Sequence, residues 1–299
     1  MSLLSKLSKV KIEPLKSLLN PSDLEFCSQT EKNFLSAYSF YETKLEFLGI
    51  NKPDLEGNEF LSFSVMYESV ESNIAEMARE FVEKIVRYFR ETYKITLNEE
   101  EIKSKLFSDR CFNNRGEYYQ RGTFGDEEGE VKDSIEKTIK QFKIPIDKIL
   151  ELITDKLDGM TLDEKAEQEL KDKFYDSFVK RYHKDKLEVI KNRIEFQNTY
   201  IDFETWSGWD FSWKSKEKLL ILFKALSFFE NGSTSDILSE YNALMNRGKV
   251  NEEVMFSEWQ TGTEKVYGIR FYKNRKMVIK FVSDEIAQDF FKTMCRSGL

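Results

Sequence analysis

The stretch YGIRFYKNRKMVIKF, residues 267–281, sets Arg270, Lys273, Arg275, Lys276 and Lys280 around Tyr272, with no acidic residue from 270 to 280. Cations interleaved with an aromatic ring suit nucleic acid, because the charges meet phosphates and the ring stacks on bases. SDRCFNNRGEYYQRGTFGDEEGEVKD, residues 108–133, has the same character, with Arg110, Arg115, Tyr118 and Arg121 among four glycines before an acidic run. A loop this long within a compact region is usually functional or a solvated excursion. DFETWSGWDFSW, residues 202–213, holds Trp206, Trp209 and Trp213, three of the four tryptophans. These are either a buried aromatic seam or a stacking platform.

Other chemistry is excluded by residue type and spacing. No two prolines are adjacent, so the Asp/Asn-Pro-Pro-aromatic motif of amino-group DNA methyltransferases is absent. No G-x-G-x-x-G loop occurs, and the lone Gly248-Lys249 step has Ala243 and Val250 where a P-loop needs Gly and Ser or Thr. G-x-S-x-G and H-E-x-x-H are missing as well. With one histidine, His183, the chain lacks the parts of a His-dependent triad. Cys27, Cys111 and Cys295 are far apart and form no C-x-x-C pair. No metal site or cofactor is expected, and three reduced thiols point to a cytoplasmic setting.

A Mg²⁺ site built from carboxylates alone stays open, because such nucleases need only acidic residues and a lysine. Glu42-Thr43-Lys44 and Glu101-Ile102-Lys103 have that spacing but fall in predicted helices, whereas Asp202 and Glu204 alternate on a predicted strand.

These residues need elements to hold them. Few prolines (4) and glycines (13) among 299 residues, 33% of them charged, favour long helices over a sandwich or barrel. Val70, Ile74, Met77, Phe81, Ile85 and Phe89 recur every three or four residues, predicting a helix over 59–93. Asn98 with Glu101 predicts a capped helix to about Leu106. Helices follow at 134–143, 146–157 and 161–182.

From about Leu187 the period changes to alternation, predicting strands in LEVIKNRIEFQ and TYIDFETW. Ser215 is read as capping an apolar helix that Gly232 ends, with a short helix over 234–246 after it. Strands are predicted at 253–259, 265–272 and 277–282, then a helix over 284–295 begun by Ser283.

The fold class is therefore α+β. A mainly helical part spans 1–183, with the polar loop at about 108–133, and an α+β part spans 184–299. No segment approaches the ~20 apolar residues that span a bilayer, so no membrane partner is expected. Net charge is −7, so nucleic-acid binding would rely on a local basic patch.

The turn of the 267–281 hairpin is constrained by parity. A two-residue turn at Asn274-Arg275 puts Arg270 on the face of Ile279. A three-residue turn pairs Phe271 with Met277 and Arg270 with Lys280, leaving one apolar face and one carrying Arg270, Tyr272 and Lys280. The odd turn or a bulge is expected. Trp209 and Trp213 are expected in the core, and Trp206 partly exposed.

The order W-S-G-W, an apolar helix ending in NG, F-Y-K-N-x-K-x-x-I-K-F and a final F-F-K helix resembles the domain of unknown function 4942 family. The resemblance covers about residues 170–295, with a weaker trace over 85–102. Arg275 stands where that family commonly has a turn glycine. The resemblance implies a setting of bacterial plasmids, prophages and genomic islands, where some members are fused to adenine-specific DNA methyltransferases. It carries no reaction. The expected function is a non-catalytic nucleic-acid-interacting accessory of DNA modification, phage defence or mobile elements. The alternatives are a protein-interaction or regulatory module with a protein partner, and a metal-dependent nuclease.

Overall fold

The structure, a computed structural model, describes residues 19–50, 63–107, 137, 139–180, 187–234 and 236–295. The protein is α+β and divides into two compact units. One is residues 1–92 with 96–161, and the other is 93–95 with 162–299.

The first unit is built on the helices Pro21–Ile50 and Phe63–Tyr93, with Glu99–Leu106 and Ile146–Lys156 beside them. The stripe at three-and-four spacing faces inward, and Ile74, Phe81, Ile85 and Phe89 are buried. Phe34 stacks on Phe81 at 4.3 Å between centroids, and Phe26 on Tyr88 at 3.8 Å. The Tyr88 hydroxyl donates to Asp23 at 2.8 Å. Asn98 caps its helix as its spacing predicted, its side chain accepting from the Glu101 N–H at 3.2 Å.

The second unit takes in the helix Leu162–Phe178, which the change of period near Leu187 left on the N-terminal side. Its main sheet is antiparallel, in the order β1-β2-β7-β6-β5. The strands are β1 Leu187–Ile190, β2 Arg193–Phe196, β5 Glu258–Gln260, β6 Val266–Phe271 and β7 Met277–Phe281. A separate ribbon pairs β3 Phe203–Glu204 with β4 Asp210–Phe211. The inward face of the main sheet carries Ile194, Phe196, Trp259, Ile269, Phe271, Met277 and Ile279. Against it lie residues of the helices Leu162–Phe178, Trp213–Asn231 and Asp284–Met294. Phe290 of the last helix meets Phe174, Phe229 and Phe281 at 5.1–5.6 Å, mostly edge to face.

Several expectations change. Trp213–Asn231 begins three residues early, because Ser212 is the N-cap and its hydroxyl accepts from the Ser215 N–H at 3.3 Å. Ser215 Oγ instead accepts from the Asp202 N–H at 2.7 Å. The alternating run therefore stops at Ser212, and Trp213 becomes a first-turn helical residue that is 64% exposed, not core. Residues 253–255 are helical rather than extended, since Asn251 caps the turn Glu252–Met255 by accepting from the Val254 N–H at 2.8 Å. The expected strand shrinks to Glu258–Gln260. The short helix is Ser239–Met245. Gly232 ends its helix at φ +76° with its N–H on the Phe228 carbonyl, as its position suggested.

The hairpin takes the odd turn. Tyr272 N–H donates to the Lys276 carbonyl at 2.9 Å, enclosing Lys273, Asn274 and Arg275, and Arg275 adopts φ +65°. Phe271 pairs with Met277 as parity required. Arg270 faces Val278, however, and Lys280 faces Gly268, because partner numbers in an antiparallel ladder keep a constant sum. Arg270, Tyr272 and Lys280 still share the outward face, and a bulge at Tyr267 follows.

Candidate nucleic-acid interface

The outward face of the hairpin gathers the cations that the sequence offers, and most already have carboxylates. Lys273 Nζ lies 2.5 Å from Glu252, Arg275 Nε 2.9 Å from Asp202, Lys276 Nζ 2.5 Å from Glu195 and Lys280 Nζ 3.7 Å from Glu258. Arg270 differs. Its Nε donates to the Phe256 carbonyl at 2.9 Å, and it has no carboxylate partner among the described residues. Glu195 is the one buried member of the set, with a side chain 8% exposed between Lys276 and Arg193. Exposed pairs of this kind contribute only about 0–1 kcal/mol each, so a competing anion can displace them. The pair at Glu195 is the costly one to break.

Rings lie under these cations. Tyr272 has Arg270 at 4.9 Å and Lys276 at 5.5 Å from its centroid. Lys280 sits 4.7 Å from the Tyr267 ring, and Lys273 5.6 Å from Trp209. Tyr200, which no sequence pattern singled out, has Arg275 at 5.3 Å and Lys218 at 5.4 Å. It is brought there because the Thr199 N–H and hydroxyl both donate to the Arg275 carbonyl, at 2.7 and 2.8 Å.

The tryptophans separate by depth. Trp206 is 88% exposed at the tip of the β3–β4 ribbon, where Ser207 has φ +59° and Gly208 φ +130°. Lys249 Nζ fastens that tip through the Trp206 carbonyl at 2.8 Å and Ser207 Oγ at 2.7 Å. Trp209 is partly buried against Phe203 and Phe256. The buried tryptophan is Trp259, 3% exposed, whose indole N–H donates to the Val254 carbonyl at 3.0 Å.

Beside the hairpin turn lies an open groove of about 790 Å³, lined by Glu252, Glu253, Phe256, Ser257, Arg270, Tyr272, Lys273 and Asn274. Its acidic wall stands on the helical turn Glu252–Met255, where the sequence pattern of 253–259 predicts a strand. Asn251 followed by two glutamates is the helix-start signal that marks it.

Arg110, Arg115, Tyr118 and Arg121 lie outside the described residues, as do Cys111 and His183. Cys27 and Cys295 are buried and form no disulfide among the described residues, and burial pushes the Cys295 thiol well above its ordinary range. Among the described residues no three His, Cys, Asp or Glu side chains gather as a metal set. Asp202, one of the carboxylates considered for such a site, is held by Arg275. Among the described residues no helix is long and apolar enough to cross a membrane. No family model, no curated protein and no solved structure matches this chain.

Proposed function

We propose that this protein is a non-catalytic nucleic-acid-interacting module, accessory to DNA modification, phage defence or mobile elements. The observation that carries the first part is the repeated placing of a hairpin cation over a ring, at Tyr272, Tyr267 and Tyr200, with Trp206 exposed six residues after Tyr200. Rings flanked by guanidinium and ammonium groups serve bases and phosphates together. The biological setting rests on the resemblance of residues 170–295 alone. A reducing cytoplasmic location fits the buried, unbridged cysteines Cys27 and Cys295.

The ion pairs set the expected strength. Five free cations would give a slope of log affinity against log salt of roughly −3.5 on single strands, at about −0.7 per phosphate contact. With four cations already paired, the slope should fall to roughly −0.7 to −1.4. Anisotropy of a labelled single strand, followed from low to physiological salt, tests this. Arg270→Gln should weaken binding and flatten the slope by about one such contact. Absence of affinity at low salt overturns the proposal.

A second reading is favoured by the same pairing. The hairpin is nearly balanced in charge and the second unit also exposes Trp206 and Trp213, features that suit a protein partner, since Trp, Tyr and Arg are enriched at protein interfaces. Photo-crosslinking from position 206 in cells separates the two. A nuclease-sensitive adduct supports the first reading, and a discrete protein adduct supports the second.

A further inference from the structure

The groove combines three features that no single structural role requires. Arg270 has its Nε on the Phe256 carbonyl, which leaves both terminal guanidinium nitrogens for an incoming anion. Phe256 and Tyr272 present rings along the same groove. Glu253 stands on its wall with no ion-pair partner among the described residues, whereas Glu252 and Lys273 neutralise one another at 2.5 Å. The volume of about 790 Å³ lies within the range of small-ligand sites.

We infer that this groove is a subsite for one unpaired, amino-bearing base of a single-stranded nucleic acid. The inference rests on the nucleic-acid reading above and deepens it. Arg270 takes the phosphate, the rings and the guanidinium plane stack the base, and the Glu253 carboxylate accepts from an exocyclic amino group. A lone carboxylate repels phosphates, so on a purely backbone-reading surface it is a liability. Facing a base edge it is a discriminator. Cytosine offers a carboxylate its N4 amino group, whereas thymine offers carbonyl oxygens on both sides of its one N–H. A duplex keeps those edges paired and cannot enter.

The test compares labelled deoxycytidine and deoxythymidine homopolymers of equal length, and a duplex, at neutral pH and low salt. The wild type should bind the cytidine strand about 5–10-fold more tightly than the thymidine strand, and both more tightly than the duplex. Glu253→Gln should bring the ratio of the two strands to near one while leaving the thymidine affinity unchanged or higher. Arg270→Gln should weaken both strands alike. Both residues are exposed, and thermal melting confirms that each variant folds. Equal binding of the two strands, a ratio unmoved by Glu253→Gln, or duplex binding as tight as single-strand binding overturns the subsite and leaves the broader reading standing. No binding of any of the three overturns that reading and the subsite with it.

Discussion

Arg275 meets Asp202 at 2.9 Å through its Nε while its own backbone turns at φ +65°. One residue thus combines a favourable ion pair with an unfavourable conformation. A non-glycine residue in the left-handed region costs about 1 kcal/mol or more. The exposed pair contributes at most about that. Arg275→Gly should therefore change stability by less than about 1 kcal/mol. Arg275→Gln, which loses the pair and keeps the conformation, should be less stable than the glycine variant by roughly 1 kcal/mol. Urea unfolding of both variants beside the wild type reads this difference, and a glutamine variant at least as stable as the glycine one contradicts it.

The tryptophans should rank by depth. Trp259→Ala should cost about 3–5 kcal/mol, as aromatic truncation in a core does. Trp209, partly buried, should cost roughly 1–3 kcal/mol. Trp206→Ala and Trp213→Ala should stay within about 0.5 kcal/mol of the wild type. Collisional quenching gives an independent check, since iodide should reach the indoles at 206 and 213 but not at 259.

Gly208→Ala should destabilise the second unit by about 1–3 kcal/mol. Its φ of +130° disfavours a side chain, and an added Cβ would lie 3.2 Å from Lys249 Cβ and 3.4 Å from the Val250 carbonyl. Because the same turn holds Trp206, the emission of that indole should change as well. Unchanged stability and emission together would show that the turn relaxes at no cost.

In the first unit Lys103 is buried, pairing with Glu83 and lying 2.9 Å from Glu99 and 3.0 Å from Glu100. Burial alone would lower the Lys103 pKa, but the hydrogen bonds to the three carboxylates outweigh it and raise the value above 10.5. Burial likewise opposes ionisation of Glu83, and the hydrogen bond and charge of Lys103 outweigh it, holding the carboxyl below its ordinary 4.5. The stabilisation from Lys103 is therefore complete below pH 10.5 and lost as pH rises through its raised value. That from Glu83 is complete above pH 4.5 and lost as pH falls through its lowered value. Lys103→Met should cost about 1–3 kcal/mol at neutral pH, discounted from a fully buried pair because Glu83 is partly exposed. Its stability should also vary less with pH at both ends. An unchanged acid limb would show that Glu83 draws nothing from Lys103.

Features governed by near neighbours in the chain were legible beforehand. The caps at Asn98 and Ser283 and the terminator Gly232 each act within a few residues, and each stands where its spacing placed it. Parity likewise paired Phe271 with Met277. The place of Trp213 is not fixed by its neighbours, because Ser212 and Ser215 are both acceptable caps, and a shift of three residues turns a strand position into a helix surface. The charge state of the hairpin was illegible for another reason. Asp202, Glu195, Glu252 and Glu258 reach it from other segments, so a window without acidic residues said nothing about the carboxylates that close over it.

The strand order has a consequence for biosynthesis. β2 finds its second partner in β7, which the ribosome delivers long after it, with the hairpin β6–β7 filling the middle of the sheet. Until then β1–β2 is an isolated two-stranded hairpin, and such pairs are marginal in water. Its edge and the side of the Phe174 ring that Phe290 later meets stay uncovered on the nascent chain, a surface that invites aggregation or a chaperone. The second unit is thus the slow, vulnerable half of synthesis. Expression yield should be governed by what covers β2 during that wait more than by the finished stability of the sheet.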